Sequence, residues 1–233
     1  MRLHRFYVEQ PLGEVVVIKD VSLIQQWTKV FRYTVSDFVV LFNGEGSDLV
    51  YSLDSIEKKE CTLIRSKQSP SYIPTKKVFL YLSIIKKDNF ELVVQKATEL
   101  GVTTITPIIS ERSEKKNLND ERLRKIAIEA SEQCGRGDIP LISPITELSS
   151  VLKELNPSEA CLFLQMDGIA WNDALLQKKL KEGKVHLFIG PEGGWSLDEE
   201  NLFRKSGATS VSLGSTVLRA ETAAIVSVAL TQQ

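Results

Sequence analysis

Cysteine and histidine are scarce in this chain, and no long apolar run interrupts it. The three cysteines, Cys61, Cys134 and Cys161, are far apart and in no CxxC spacing, which excludes a disulfide framework and a cysteine-built zinc site. They read as buried thiols in a reducing compartment. Of the two histidines, His4 and His186, the second sits inside an apolar strand and reads as a packed, hydrogen-bonded core residue. No Ser-His-Asp or Cys-His pairing is proposed and no carboxylate cluster suggests a metal, so any catalysis must rest on a bound cofactor. Nowhere do about 18 apolar residues run together, and the start Met1-Arg2-Leu3-His4-Arg5-Phe6 lacks the apolar stretch of a signal peptide. A cytoplasmic protein without a membrane partner is expected.

Neither sign of charge dominates. The chain has 29 Lys+Arg against 30 Asp+Glu, and 9 of each lie within residues 1–75. There is thus no global electrostatic footprint for nucleic acid, and an RNA site must be a local patch. A hydrophobic fraction of 42% over 233 residues is ordinary for a folded protein and allows one large domain or two modest ones.

Residues 5–65 carry short runs such as Val15-Val16-Val17-Ile18 and Phe38-Val39-Val40-Leu41-Phe42, which predict a small, mostly β domain over 1–70. Asn43-Gly44-Glu45-Gly46 supplies a turn between two strands, and a helix is expected over 21–31. Residues 66–75, with Pro70 and Pro74, lose periodicity and read as a linker. A second domain, 76–233, alternates strands at 78–85, 102–109, 160–164, 185–189 and 210–213 with helices at 89–100, 120–134, 172–181, 197–205 and 220–230. Such alternation predicts an α/β fold, a parallel sheet covered on both faces. Ser196 followed by Glu199 has the form of a capping box. The final helix is apolar nearly all round and is expected to be buried on most sides.

The strongest local signal is Leu187-Phe188-Ile189-Gly190-Pro191-Glu192-Gly193-Gly194-Trp195-Ser196, a buried strand entering a glycine turn and a capped helix. Ligands of open parallel sheets bind outside such strand ends. The turn is neither GxGxxG nor a P-loop, and Glu192 disfavours a polyphosphate. An uncharged or cationic ligand fits better, although a tight turn without a ligand would read the same. A second strand end, Leu213-Gly214 through Leu218-Arg219-Ala220-Glu221-Thr222-Ala223, sets Arg219 and Glu221 at the mouth of an apolar helix. They are candidate substrate contacts, or simply an ion-paired arginine and a carboxylate meeting the helix dipole. On the helix 120–134, Leu123, Ile126, Ala127, Ala130 and Cys134 trace a buried stripe, and Glu129, Gln133 and Arg136 share a separate polar face if the helix continues. Arg112, Lys115, Lys116, Arg122, Arg124 and Lys125 make a suggestive phosphate-contacting patch.

Several of these blocks, in order, resemble the ribosomal small-subunit methyltransferase E family, the 16S rRNA uridine-N3 methyltransferases of the SPOUT superfamily. The resemblance spans nearly the whole chain and rests on Arg5-Phe6, Val30-Phe31-Arg32, Leu41-Phe42-Asn43-Gly44, Lys96-Ala97-Thr98-Glu99-Leu100-Gly101-Val102, Glu111-Arg112-Ser113, Glu129 through Arg136, Ile189 through Gly194, and Leu213-Gly214 with Leu218 through Ala223. Gln25-Gln26, Ser36-Asp37, Arg124-Lys125 and Ala220 depart from the family pattern.

The resemblance implies a PUA-like β-barrel domain that helps hold RNA, a SPOUT domain with a C-terminal trefoil knot, and a homodimer with its active site at the subunit interface. It implies S-adenosylmethionine as cofactor, 16S rRNA or the small ribosomal subunit as partner, and no need for DNA or a metal. Cofactor contacts would fall to Leu164, Ile189, Gly190, Glu192, Gly193, Gly194, Leu213, Gly214, Leu218 and Arg219. Target contacts would fall to Arg112, Glu129, Gln133, Arg136, Arg219 and Glu221. The rival reading is a noncatalytic RNA-binding or ribosome-assembly protein that keeps the fold; a third is a metabolic enzyme with a nucleotide cofactor, which the acidic turn disfavours.

Overall fold

A computed structural model describes residues 3–113, 117–181 and 183–233. The chain forms two compact units, one of residues 1–73 with 131–138, the other of 74–130 with 139–233.

The first unit is a five-stranded sheet in the order β1 (Arg5–Tyr7), β3 (Phe38–Phe42), β4 (Asp48–Ile56), β5 (Cys61–Ser69), β2 (Val15–Ile18). β1 runs parallel to β3 and the other pairs are antiparallel. Alternation in β2 buries Val16 and Ile18 and leaves Val15 and Val17 outward, the period of a half-buried strand. Phe6, Trp27, Leu41, Tyr51, Leu53 and Leu63 fill the inside. The turn at 43–46 is present, with Gly44 and Gly46 at φ 85° and 87°. The expected helix over 21–31 starts as α1 (Val21–Gln25), capped by the Asp20 carboxylate, and widens into a π-helical turn, Gln26–Val30. The expected linker from residue 66 is a correction: β5 continues to Ser69, because pairing of Val50 with Lys67 and Leu49 with Gln68 satisfies its backbone although its side chains are polar.

The second unit is an α/β layer structure with every strand pair parallel. β6 (Lys77–Ser83), β7 (Thr104–Ile109), β8 (Leu141–Ile142), β10 (Ala160–Ala170), β11 (Lys184–Ile189) and β12 (Thr209–Ser212) stand in the order 12-10-11-6-7-8, and β9 (Thr146–Glu147) pairs with β7. Successive residues of β11 serve opposite faces. Val185, Leu187 and Ile189 enter a core shared with α2 (Lys87–Glu99), α3 (Asp120–Cys134), α5 (Ala174–Leu180) and α7 (Ala220–Gln232). Phe188 enters another with α4 (Leu148–Glu154) and α6 (Leu197–Lys205). The parallel sheet covered on both faces is therefore as expected.

Local signals also appear as read. Gly101 closes α2 at φ 92°, the left-handed conformation that favours glycine after a helix. Ser196 Oγ accepts from Glu199 N–H while the Glu199 carboxylate accepts from Ser196 N–H at 2.8 Å. His186 is buried between the Tyr81 hydroxyl at 3.2 Å and the Glu159 carboxylate at 2.7 Å; burial lowers its pKa, opposed by the hydrogen bond to Glu159.

Two further expectations are corrected. Cys134 is exposed, not buried, because it ends α3 just before the chain turns at Gly135, φ 88°. β10 runs six residues past its expected end, carrying a register shift between Leu164 and Ile169. α7 is buried through Ala220, Glu221, Ala224, Ser227, Val228 and Thr231, with Ile225, Val226, Ala229 and Leu230 half-buried and Thr222 alone exposed. Among the described residues no helix is long and apolar enough to cross a membrane.

Candidate functional site

The bulged middle of β10 and the C-terminal ends of β11 and β12 open on one cavity of about 500 Å³, on the side of a parallel sheet where ligands bind. Its walls are apolar, from Leu164, Ile189, Val211, Leu213, Leu218 and Ala223, and its lining includes Asp167, Glu192 and Glu200 against a single cation, Arg219. Glu200 also holds Arg204 at 2.8 Å.

Four devices shape these walls. The turn 191–194 closes with Gly194 N–H donating to Pro191 O at 2.9 Å, Gly194 standing at φ 67°. The Trp195 indole N–H donates to Leu164 O at 3.1 Å, tying the turn to β10. Arg112 Nη1 donates to Gly193 O at 2.8 Å and Trp195 O at 3.2 Å, and Glu111 N–H reaches the capping carboxylate of Glu199 at 2.9 Å. In β10, a Cβ on Gly168 would lie 2.5 Å from Val211 N and 2.7 Å from the Ser210 carbonyl carbon. Only glycine lets the bulged strand approach β12 there and carry 165–167 into the lining.

The cavity suits a ligand with a flat or apolar body and no net negative charge. A polyphosphate would meet three carboxylates and one arginine. The two buried cysteines are poor nucleophiles as well: burial pushes the Cys161 thiol up to about 12 and Cys61 to about 11, far from thiolate at neutral pH. Among the described residues no group of His, Cys, Asp and Glu could hold a metal ion.

The chain matches the family described as RNA methyltransferase domain over residues 72–232. It is 32% identical to ribosomal RNA small subunit methyltransferase E of Rickettsia conorii, across 98% of this chain and 95% of the relative. This chain belongs to the ribosomal RNA small subunit methyltransferase E family. Two solved structures have the same fold. A putative methyltransferase from Legionella pneumophila, in complex with the bound cofactor SAM, aligns with TM-score 0.88 and 29% identity over 100% of this chain and 98% of its own. The small subunit methyltransferase E from Neisseria gonorrhoeae, bound to S-adenosyl methionine, aligns with TM-score 0.88 and 28% identity over 99% and 97%.

Of the ten residues that the family resemblance assigns to the cofactor, nine line the cavity: Leu164, Ile189, Gly190, Glu192, Gly194, Leu213, Gly214, Leu218 and Arg219. Gly193 does not; it lies against Arg112, whose side-chain carbons would be 3.3 Å from an added Cβ. The lining also takes in Gln165, Met166, Asp167, Trp195 and Glu200. Trp195 follows directly on the glycine turn and was open to reading; the bulge residues carry no comparable signal.

The target-contact set divides. Arg219 is the exposed N-cap residue of α7, and Glu221 is buried in its first turn with Oε2 lacking a hydrogen-bond partner among the described residues. Arg112 is spent on the turn. Glu129 is exposed, 3.9 Å from Lys125, and Gln133 is exposed on the last turn of α3. Arg136 is a correction to the shared polar face: α3 ends at Cys134, and Arg136 is buried in the first unit, paired with Asp138 at 2.8 Å. The expected basic patch thins out, since Arg122 is paired bidentately with Glu91 at 2.6 Å. That guanidinium holds the Glu91 carboxyl below its usual range. Lys115 and Lys116 lie outside the described residues.

Proposed function

We propose that this protein methylates N3 of a uridine in the 16S RNA of the small ribosomal subunit, with S-adenosylmethionine as methyl donor. The observation that carries the reading is the cavity at the strand ends, apolar within and acidic at its lining, in a chain of this family. Its apolar walls fit an adenine, and Asp167, Glu192 and Glu200 suit a ligand whose sulfonium and amine are cationic. When bound, the cofactor supplies a methyl group already activated by sulfonium charge.

The residues then have separable tasks. The glycine turn, held by Arg112 and Trp195, fixes the ligand's position. Arg219 at the cavity wall stabilises the uracil anion that attacks through N3. Glu221, whose buried Oε2 lacks a hydrogen-bond partner among the described residues, would take the N3 proton to give that anion, and the new nitrogen–methyl bond would form as the donor's carbon–sulfur bond breaks and leaves a neutral thioether. The target base must be unstacked to offer its Watson–Crick edge. Arg136 and Glu129 are less suited to these tasks, one being spent on Asp138 and the other exposed beside Lys125.

In this reading residues 1–70 are a PUA-like β-barrel that holds RNA, and 76–233 a SPOUT domain with a C-terminal trefoil knot, working in the cytoplasm. The half-buried Ile225, Val226, Ala229 and Leu230 of α7 are covered by a second copy, giving a homodimer.

Calorimetric titration with S-adenosylmethionine, then radiolabelled transfer to unmodified small subunits and nucleoside analysis, tests the function. Saturable binding and label in 3-methyluridine are expected. Label in any other nucleoside would remove the N3 assignment, and absence of binding at millimolar cofactor would leave a noncatalytic RNA-binding protein. Gly168→Ala should weaken cofactor binding about tenfold and cost roughly 1–3 kcal/mol, the usual range for overpacking, because β10 must leave β12. Unchanged affinity by the same titration would show that the bulge does not shape the site.

A further inference from the structure

In the first unit, residue 32 follows the π-helical turn with φ 58°, a left-handed backbone that disfavours any residue with a Cβ. The side chain there is not a glycine's hydrogen but an arginine, exposed, and neither hydrogen-bonded nor ion-paired among the described residues. Its neighbours on either side are aromatic. Phe31 and Tyr33 stack at 5.5 Å and 15°, and His4 lies on Phe31 at 4.3 Å. The ladder is rooted in the core, because Phe31 meets buried Phe6 edge-on at 5.6 Å, and Phe6 meets buried Trp27 at 5.4 Å. The Tyr33 hydroxyl and His4 Nδ1 are 2.5 Å apart. With that hydroxyl donating, the imidazole proton sits on Nε2 as a spare donor. The nearby carboxylate of Asp37 is occupied by Thr34 N–H at 2.7 Å and Thr34 Oγ at 3.0 Å.

A rigid, partly exposed aromatic ladder beside an unpaired guanidinium is the chemistry that binds one nucleotide of a single strand. The ring takes a base face of any sequence, and the arginine takes a phosphate. In a duplex the base faces are already covered. We propose that His4, Phe31, Arg32 and Tyr33 form such a subsite for single-stranded RNA, with the phosphate on Arg32 and the base on the exposed part of the ladder. It deepens the RNA-methyltransferase reading by naming where the substrate RNA is held outside the methyl-transfer cavity. The strained backbone at residue 32 is retained for the side chain it presents.

The strain supplies the test. Glycine suits φ 58°, so full-length Arg32→Gly should have a thermal midpoint equal to or above wild type. Its affinity for a fluorescein-labelled 12-residue oligouridylate should nevertheless fall roughly fivefold at low salt, and the slope of log affinity on log salt should shrink by about 0.7, one single-strand phosphate. Arg32→Lys, which keeps the charge, should restore most of that slope. Wild-type affinity and slope in Arg32→Gly would overturn the subsite, as would a wild-type protein that does not bind the probe. Cofactor titration of the same wild-type sample separates the two ideas. Loss of cofactor binding with the RNA result intact sinks only the methyltransferase reading, and the reverse sinks only this site.

Discussion

Replacing Arg219 with alanine should lower methyl transfer to small subunits by about 10²- to 10³-fold, the usual loss when one preorganised charge is removed from a developing anion. Folding should be spared. Arg219 occupies the N-cap of α7 without a side-chain capping bond and is exposed. Among the described residues its guanidinium has no ion pair, so nothing buried loses a partner. The deficit should therefore lie in single-turnover rate, with a thermal midpoint close to wild type, and Arg219→Lys should recover only part of it because a point charge replaces a planar fork. If Arg219→Ala transferred methyl at the wild-type rate, the uracil anion would have to be stabilised by another group. Glu221→Gln completes the comparison: its loss should grow less severe as pH rises and free uridine itself deprotonates, whereas the Arg219→Ala loss should persist.

Most of the second unit could be read from its residues because the controlling interactions are local. Ser196 and Glu199 are three residues apart and satisfy each other's backbone, and Gly101 accepts the left-handed turn that ends α2. Short or long-range features were not legible. β8 and β9 are two residues each and exist only by pairing with β7, and α4 follows them without a side-chain cap. The extension of β10 depends on Gly168 meeting the backbone of Val211, 43 positions along the chain. No period in 160–170 could show it. The cavity's glycine turn was visible as a strand entering Gly190, but the roles of Arg112 and Glu111 were not, since both act on residues more than 80 positions away. Arg136 was misplaced for a simpler reason. Helical spacing was carried past Gly135, whose φ of 88° ends the helix first.

The largest effect on stability is expected at a residue that does no chemistry. Arg5 in β1 donates to both oxygens of Asp48, at 2.6 Å and 2.7 Å, and to the carbonyls of Ser131, Glu132 and Arg136, at 2.7, 3.2 and 3.0 Å. It also lies over the Phe42 ring at 4.2 Å. The ion pair is almost out of solvent, the two side chains being 7% and 5% exposed, and the guanidinium meets the negative end of α3. Arg5→Ala leaves Asp48 as a buried carboxylate without its cation and removes a donor from three carbonyls, so a loss of about 3–5 kcal/mol is expected in denaturant unfolding of the first unit. Removing the charge on both sides should be much milder. Arg5→Met with Asp48→Leu replaces the pair by apolar groups of similar volume, and the double variant should recover a large part of the stability lost by Arg5→Ala. A single variant losing less than about 1 kcal/mol would mean that the pair behaves as a solvated surface bridge. A double variant no better than Arg5→Ala would assign the loss to the three carbonyls instead of the carboxylate, because those acceptors lose the same donor in both proteins.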